Sequence, residues 1–135
     1  MTTGEHQVIV VDAANVVGSR PDGWWRDRPG AARRLLRKLA ALQQHLDDTE
    51  IVVILEGAAR SATSGPDAPD VGDVRVVLAD GSGDDTISAV TAETAARADN
   101  PTITVVTADR GLRQRIEGTG ATAVGPRWLL DQLPQ

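Results

Sequence analysis

Short apolar runs rich in β-branched residues alternate along the chain with segments in which apolar residues recur at helical spacing. The apolar runs are residues 8–11, 51–55, 74–78 and 103–107, with a weaker fifth at 122–124. The segments with helical spacing are residues 30–46, 84–98, 110–117 and 126–133. Short, continuous apolar runs are typical of strands that are buried on both faces. The pattern therefore predicts five strands separated by helices.

Buried strands joined by helices predict a parallel sheet that is covered on both faces and connected by right-handed crossovers. No repeat or change of composition divides the chain, so we expect one doubly wound α/β domain over residues 1–135. Residues 57–73 are rich in Gly, Ser, Ala and Pro, and the stretch is too long for a tight connection. We interpret it as a flexible loop before the third strand.

Each of the first four predicted strands is followed within two positions by an acidic residue. These residues are Asp12, Glu56, Asp80 and Asp109. In a parallel sheet all the carboxyl ends share one edge, where open α/β sheets bind ligands, so these side chains are expected to converge. Acidic residues are only about one in eight of an average composition, which disfavours coincidence.

Another acidic pair, Asp84 and Asp85, opens the helix after the third strand, and Ser82 with Asp85 has the spacing of a capping box. Acids in the first turn stabilise a helix by about 0.3–1 kcal/mol through its macrodipole, so a purely structural role for this pair stays open. Asp109 has the same alternative as an N-cap, and Asn15 as a turn residue in the left-handed conformation.

Gathering these carboxylates is unfavourable without a cation. Two carboxylates about 4 Å apart repel by roughly 4 kcal/mol at an effective dielectric near 20. Oxygen ligands with no Cys or His nearby select Mg²⁺ or Mn²⁺, which take one or two carboxylates and complete the shell with water and substrate phosphate. The chemistry indicated is hydrolysis of a phosphodiester bond by a metal-activated water.

Composition excludes several other classes of site. The absence of cysteine excludes disulfides, zinc bound through thiolates, Fe–S clusters and a thiol nucleophile. With 41% hydrophobic and 24% charged residues, the composition is that of an ordinary globular protein. The N-terminus is polar, and no stretch has the length of a membrane span, so we expect a cytoplasmic protein without membrane contact. A homodimer is compatible with the sequence, which does not decide the oligomeric state.

Three segments resemble the motifs of NYN-domain proteins in the PIN-like nuclease superfamily. They are VIVVDAANVVGS at residues 8–19, GSGDDTI at 81–87 and TVVTADRGL at 104–112. The resemblance spans nearly the whole chain. It implies a parallel sheet of order 3-2-1-4-5, Mg²⁺ or Mn²⁺ at a cluster of acids, and endonucleolytic cleavage of RNA.

The resemblance also implies a set of site residues. The expected catalytic residues are Asp12, Asp84, Asp85 and Asp109, of which Asp12, Asp85 and Asp109 are the expected metal ligands, and Asn15 is expected at the substrate. Some family members carry another acid four residues after the aspartate of the last motif, Asp109, where this chain has Arg113. Glu56 and Asp80 do not match the motifs, so we interpret them as supporting groups and leave them out of the catalytic set.

A basic segment follows the first strand. Although the net charge is −5, half of the 14 basic residues fall between positions 20 and 38. Trp24 and Trp25 lie in this segment and are two of only three aromatic residues. Base–aromatic stacking contributes about 1–3 kcal/mol per base, and arginine binds phosphate. We therefore expect the segment to hold single-stranded RNA at the acidic edge.

The residues expected to bind this substrate are Arg20, Trp24, Trp25, Arg26 and Arg28, together with Arg110, which is next to Asp109. The alternative for the tryptophans is that one of them anchors the loop to the core, since adjacent side chains rarely point the same way. For the basic residues further along we favour a solvated helix face. They are Arg33, Arg34, Arg37 and Lys38.

Other functions of an acid-rich sheet edge fit the sequence less well. Receiver-like phosphoryl transfer needs a lysine after the fifth strand, and the only lysine is Lys38. Haloacid-type phosphatases need an acid two residues after the first-strand aspartate, where this chain has Ala14. A non-catalytic RNA-binding or protein-interaction domain of the same fold stays open because of Arg113.

Overall fold

A computed structural model describes residues 6–20 and 22–134. The five strands are β1 (Gln7–Asp12), β2 (Thr49–Leu55), β3 (Arg75–Leu78), β4 (Thr102–Val106) and β5 (Thr122–Val124). The helices are α1 (Ala13–Gly18), α2 (Arg28–Gln43), α3 (Gly83–Ala95), α4 (Arg110–Glu117) and α5 (Pro126–Leu130). Two 3-10 helices, Trp24–Arg26 and Gly57–Thr63, lie in the connections.

The strands form one sheet in the order β3-β2-β1-β4-β5, and every pair of neighbours is parallel. This confirms both the predicted doubly wound α/β fold and the strand order implied by the family resemblance. β1 lies at the centre, where it pairs with β2 and β4. Asp12, its last residue, is therefore flanked by the ends of both neighbouring strands.

Alternate residues of each strand point to opposite faces of the sheet, and each face has its own core. On one face, Ile9, Val11 and the odd-numbered residues of β2 pack against the leucines of α2. On the other, Val8, Val10 and the even-numbered residues of β2 pack against apolar side chains of α3 and α4. Burial on both faces explains why the strands read as continuous apolar runs.

The helix after the basic segment begins earlier than predicted, at Arg28 instead of residue 30. Asp27 caps it by accepting a hydrogen bond from the backbone N–H of Gly30 at 2.9 Å, and Pro29 occupies its first turn. Both are favoured at a helix start. The expected apolar face is present, since Leu35, Leu36, Leu39 and Leu42 are buried.

Two features differ from the prediction. α1 is a six-residue helix that follows β1 directly, where no helix was predicted. The interpretation of residues 57–73 as a flexible loop is wrong for their first part, because Gly57–Thr63 is a 3-10 helix. Ala62 in this helix is fully buried, and its carbonyl accepts a hydrogen bond from Arg33 of α2 at 3.3 Å.

None of the helices in residues 6–20 and 22–134 is both long enough and apolar enough to span a membrane.

Candidate active site

Asp12 is the centre of the acidic edge and is only 5% exposed. Its Oδ2 accepts a hydrogen bond from the hydroxyl of Thr107 at 2.9 Å, and its Oδ1 accepts one from the backbone N–H of Asn15 at 3.3 Å. Burial raises the pKa of Asp12 above its ordinary value; these two hydrogen bonds oppose that shift, and the charges of Asp84 and Glu56 add to it. The carboxylate is thus held in place in an environment that disfavours its charge.

Thr107 and Asn15 join the end of β1 to the end of β4. The Thr107 hydroxyl, which is fully buried, accepts a hydrogen bond from the N–H of Asp109 at 3.1 Å while it donates to Asp12. Asn15 Oδ1 accepts a hydrogen bond from the N–H of Ala108 at 2.8 Å. Asn15 lies in the first turn of α1 and has no left-handed backbone, so its interpretation as a left-handed turn residue is wrong.

Glu56 reaches from the end of β2 to the start of α3. Its Oε2 accepts a hydrogen bond from the N–H of Gly83 at 3.1 Å. A Cβ atom at Gly83 would lie 2.7 Å from Glu56 Oε1, so this close approach depends on glycine. The contact fixes the first turn of α3, and thereby Asp84, over the ends of the central strands.

Asp84 lies within the field of the other acids. Its pKa is raised, first by burial and then by the charges of Asp109, Glu56 and Asp85, while Arg115 acts in the opposite direction. Ser82 caps α3, as its position in the predicted capping box indicated, by accepting hydrogen bonds from the N–H groups of Asp84 and Asp85. Asp84 therefore shares one electrostatic site with Asp12, Glu56 and Asp109.

The other two predicted catalytic acids have additional structural contacts. Asp85 is exposed and forms an ion pair with Arg115 of α4 at 2.9 Å. Asp109 caps α4, since its Oδ1 accepts a hydrogen bond from the N–H of Leu112 at 2.9 Å. The cap uses one carboxylate oxygen of Asp109, which is itself exposed at the edge. Capping and a role in the acidic site are therefore compatible.

Asp80 and Arg113 lie on opposite sides of this cluster. Asp80 follows the outer strand β3 and is exposed, and its charge is not among those that shift Asp12 or Asp84. Arg113 is half-buried, and its Nε donates a hydrogen bond to the carbonyl of Thr107 at 3.1 Å. The Arg113 guanidinium is therefore anchored beside the acids, on Thr107, two residues before Asp109 in the same motif.

The carboxylates at this edge fit Mg²⁺ or Mn²⁺ only as a site with few protein ligands. Within residues 6–20 and 22–134, no three acid or histidine side chains lie close enough to form a ready-made metal-binding group. The sheet explains this, because neighbouring strands are about 4.8 Å apart and the ends of β2 and β4 are two spacings apart. Magnesium commonly binds one or two carboxylates and keeps several waters, and the mutual repulsion at Asp12 and Asp84 favours a cation there.

The two tryptophans of the basic segment differ in exposure. Trp24 is half-buried and its ring packs against Gly18, whereas Trp25 is 53% exposed. Their rings are perpendicular, with centroids 6.2 Å apart. The guanidinium of Arg28 lies 5.4 Å from the centre of the Trp24 ring, and that of Arg26 lies 5.9 Å from the centre of the Trp25 ring. Each of the two indole rings thus has an arginine guanidinium next to it, and of the two rings that of Trp25 is the more exposed to solvent.

Arg20 and Arg110 lie on the surface near the edge. Arg20 is exposed beyond α1 and lines an open groove of about 620 Å³ together with Asn15 and Arg127. Arg110 is exposed as the first residue of α4. Further along α2, Arg34, Arg37 and Lys38 are exposed as expected for a solvated face, whereas Arg33 is half-buried and bonds Ala62.

Sequence reasoning missed three contributors to this edge. Among the described residues, Thr107 carries the one hydroxyl bonded to Asp12, and the sequence feature that could have indicated it is a polar residue at the end of an apolar run, next to a motif acid. Glu56 was identified only as a supporting group, although its charge acts on both Asp12 and Asp84. Arg127 lines the groove from α5, and no local pattern in the sequence marks it.

Comparisons with known proteins agree with this architecture. The model of the YacP-like NYN domain matches residues 9–135. A crystal structure of Rae1 (YacP) from Bacillus subtilis is similar with a TM-score of 0.71 and 21% identity, over 93% of this chain and 72% of that one. A tryptophan-to-leucine mutant of the same protein gives a TM-score of 0.68 and 22% identity over the same shares. No curated protein sequence matches the chain significantly.

These matches confirm the resemblance to NYN domains of the PIN-like superfamily. The structural similarity supports the fold, and the family match extends over nearly the whole chain. The chain therefore belongs to the YacP-like NYN domain family, and this membership makes it an RNA-related domain of the nuclease type.

Proposed function

We propose that the chain is an endoribonuclease that hydrolyses phosphodiester bonds in single-stranded RNA with the help of Mg²⁺ or Mn²⁺. The observation that carries this proposal is the group of mutually repelling acids at the carboxyl edge of the sheet. Such a group lowers stability, so its presence is best explained by a ligand that compensates the charge. A divalent cation with a phosphodiester substrate is that kind of ligand.

Asp12, Asp84 and Asp109 are the residues that would surround the cation, one or two of them binding it directly and the others through its bound waters. Asp85, the ligand expected from the motif, is engaged with Arg115, so the geometry favours Asp84 in its place. When bound, the metal supplies an activated water and stabilises the charge that develops on the leaving oxygen. Whether Asp85 also contributes is tested by comparing Asp84→Asn with Asp85→Asn.

The chain's own residues would orient the reaction. Thr107 and the N–H of Asn15 fix both oxygens of Asp12, and Glu56 fixes the first turn of α3. Asp84 has a raised pKa and reaches solvent, so it is the carboxylate best suited to accept a proton from the attacking water.

The basic segment would hold the RNA strand along this edge. Arg20, Arg26, Arg28 and Arg110 are all exposed, which suits contacts to phosphate. Trp25 has a largely open ring on which an unpaired base can stack. Asn15 uses its side-chain oxygen for Ala108, and no described residue accepts from its N–H₂ group, which can therefore reach the substrate. These contacts favour a single strand, whose bases are accessible.

A cleavage assay tests the proposal. Labelled single-stranded RNA and the matching duplex are incubated with the protein in Mn²⁺, Mg²⁺ or EDTA. We expect internal cleavage of the single strand that requires a divalent cation and is lost in Asp12→Asn. Asp67→Asn, an exposed acid in the loop before β3, is the matched control and should retain activity. Cleavage that continues in EDTA would contradict the metal-dependent mechanism.

Arg113 favours a second candidate, a domain that binds RNA without cleaving it. Its guanidinium is anchored on Thr107 beside the acids, where it places a positive charge near the expected cation. In that case RNA binding would persist in EDTA, and no cleavage would appear in either metal. Arg113→Glu would then be the informative variant, because it restores the acid found at this position in some family members.

A further inference from the structure

A cavity of about 290 Å³ lies beside the acidic edge, between α1, the start of α2 and the two 3-10 helices. Its floor is apolar and includes Val17, Ala32 and Ala59. Three larger polar or aromatic side chains complete it: Trp24, Arg28 and Glu56. The volume is at the lower limit of ligand pockets, which span about 300–1,000 Å³, and therefore suits one planar ring system.

We propose that this cavity binds one unpaired nucleobase of the RNA strand and that it prefers guanine. The inference rests on the proposed function only in that RNA is the ligand of this edge. It adds a base specificity to the proposed active site. Glu56 links the two, because it lines the cavity and also accepts a hydrogen bond from Gly83, next to Asp84 at the start of α3. A base held here would position the neighbouring phosphates relative to the acids.

The aromatic and basic walls are suited to stacking. Trp24 and Arg28 both line the cavity, and the guanidinium lies 5.4 Å from the ring centre. Unpaired bases stack both on aromatic rings and on guanidinium planes. Arg28 is exposed, so its side chain can move to cover a base that has entered. Trp25 points elsewhere, which leaves Trp24 as the ring of this pocket.

Glu56 gives the cavity its preference for guanine. A carboxylate only accepts hydrogen bonds, and it accepts best from two adjacent N–H donors. Guanine presents two such donors on its Watson–Crick edge, the ring N1–H and the exocyclic amino group. Adenine and cytosine present one amino group there, and uracil presents a single N–H between two carbonyl oxygens, which a carboxylate repels.

Glu56 is also fixed in position. The N–H of Gly83 donates to its Oε2 at 3.1 Å, and the absence of a side chain at Gly83 allows the carboxylate to pack against α3. Each carboxylate oxygen has a second acceptor site, so this contact leaves capacity for a base. A fixed acceptor cannot turn away to suit a base that presents no donors, and less entropy is lost when a matching base binds.

Binding of short RNA in EDTA tests the pocket without any cleavage. The probes are labelled heptamers, all-uridine or with a single central guanosine, adenosine, cytidine or inosine, and affinity is measured by fluorescence anisotropy. We expect the guanosine heptamer to bind about tenfold more tightly than the all-uridine one. Inosine lacks the amino group and should lose most of this preference. Equal affinities for guanosine, inosine and uridine heptamers would overturn the proposal.

Variants then locate the preference in the cavity. Ala59→Leu fills the floor and should abolish the preference for guanosine, whereas Ala58→Leu, its exposed neighbour outside this cavity, should retain it. Glu56→Gln keeps the shape and an acceptor for Gly83 but replaces half of the carboxylate with a donor, so binding should persist without the preference. A preference that survives both Ala59→Leu and Glu56→Gln would place the recognition elsewhere and overturn the assignment.

The same heptamers in Mn²⁺ separate this inference from the proposed nuclease function. If guanosine is preferred in EDTA and no heptamer is cleaved, the pocket is supported and the nuclease proposal fails. If all heptamers bind equally and are cleaved equally, the nuclease proposal is supported and the pocket fails.

Discussion

The surroundings of acidic side chains at the two ends of the sheet shift their pKa values in opposite directions. At the amino end, Glu50 accepts from His6 at 2.6 Å and from Arg97 at 2.9 Å, and Arg97 also pairs with Asp99 at 2.8 Å. Burial acts to raise the pKa of Glu50, but the hydrogen bonds and charges of His6 and Arg97 outweigh it and lower that pKa. At the carboxyl end, Asp12 and Asp84 have raised pKa values.

The difference lies in the partners that the fold provides, since both ends carry the same kind of side chain. At the amino end Glu50 and Asp99 have basic partners, and this arrangement favours folding. At the carboxyl end the charges that act on Asp12 are those of other acids, Asp84 and Glu56. Ionisable groups whose pKa values are shifted by their surroundings are typical of functional sites. Four measurements test this difference between the two ends of the sheet.

Cleavage of RNA should depend on the carboxyl end alone. Asp12→Asn and Asp109→Asn should each lower the rate by about 10²-fold or more, because they remove a ligand of the expected cation while they preserve shape and the cap of α4. Glu50→Gln should leave the rate unchanged. Initial rates on single-stranded RNA at saturating Mn²⁺ provide the measurement, and a similar loss in Glu50→Gln would erase the contrast between the ends.

Addition of Mg²⁺ should stabilise the protein through the carboxyl end. The wild type should gain about 2.7 kcal/mol at a hundredfold excess of metal over its Kd. Asp109→Asn should gain less because it has lost a ligand, whereas Glu50→Gln should gain as much as the wild type. Calorimetry with and without Mg²⁺ measures these gains. Identical responses of the wild type and Asp109→Asn would show that Asp109 acts only as a helix cap.

Without metal, pH should affect the two ends in opposite directions. The raised pKa of Asp84 means that its contribution to stability is present below the unfolded value, near 3.8, and is lost as pH rises through the folded value. The lowered pKa of Glu50 means that its contribution is present above its unfolded value, near 4.5, and is lost as pH falls through the folded value.

Variants at the two ends should therefore diverge as pH increases. In EDTA, Asp84→Asn should melt above the wild type and Glu50→Gln below it, each by a few degrees, on the order of 2–4 °C. Both differences should be larger at about pH 7 than at about pH 3, which lies below the unfolded pKa values of both residues. Melting curves across this range, monitored by circular dichroism, provide the test. A destabilised Asp84→Asn at neutral pH would mean that its role in the first turn of α3 outweighs the repulsion.

The smallest effect concerns the arginines that face the carboxyl end. Arg20→Ala, Arg26→Ala and Arg28→Ala should each weaken RNA binding and reduce the log–log salt slope by about 0.7, the value for one phosphate contact on a single strand. Arg75→Ala, an exposed arginine at the start of β3, should not change the slope. Binding isotherms in EDTA at several salt concentrations distinguish the two groups. Equal slopes for all four variants would make the position of the positive charge irrelevant.

The strands of the sheet were predictable because the pattern of buried apolar runs is encoded locally, whereas their order followed from the family resemblance. The 3-10 helix Gly57–Thr63 was not predictable, since it depends on the burial of Ala62 and on its contact with Arg33, which is remote in sequence. The sequence motif also could not indicate whether Asp84 or Asp85 faces the other acids. Adjacent residues of a helix point about 100° apart, so the direction of each depends on how α3 docks.

The cavity beside Glu56 could not be predicted from the sequence for the same reason. Its lining comes from four separate segments, and no single motif contains them. By contrast, the convergence of Asp12 and Asp109 followed from parallel strands alone. Sequence therefore identifies residues whose position is set by topology and misses those whose position is set by packing.

The buried hydroxyl of Thr107 gives the hydrogen bonds at the site a direction. It has one hydrogen, which it donates to the Asp12 carboxylate, and its oxygen accepts the N–H of Asp109. The other oxygen of Asp12 accepts from the N–H of Asn15. Each oxygen of Asp12 thus keeps one further lone pair. The hydrogen bonds that join β1 to β4 therefore also decide which lone pairs of Asp12 are left for a ligand.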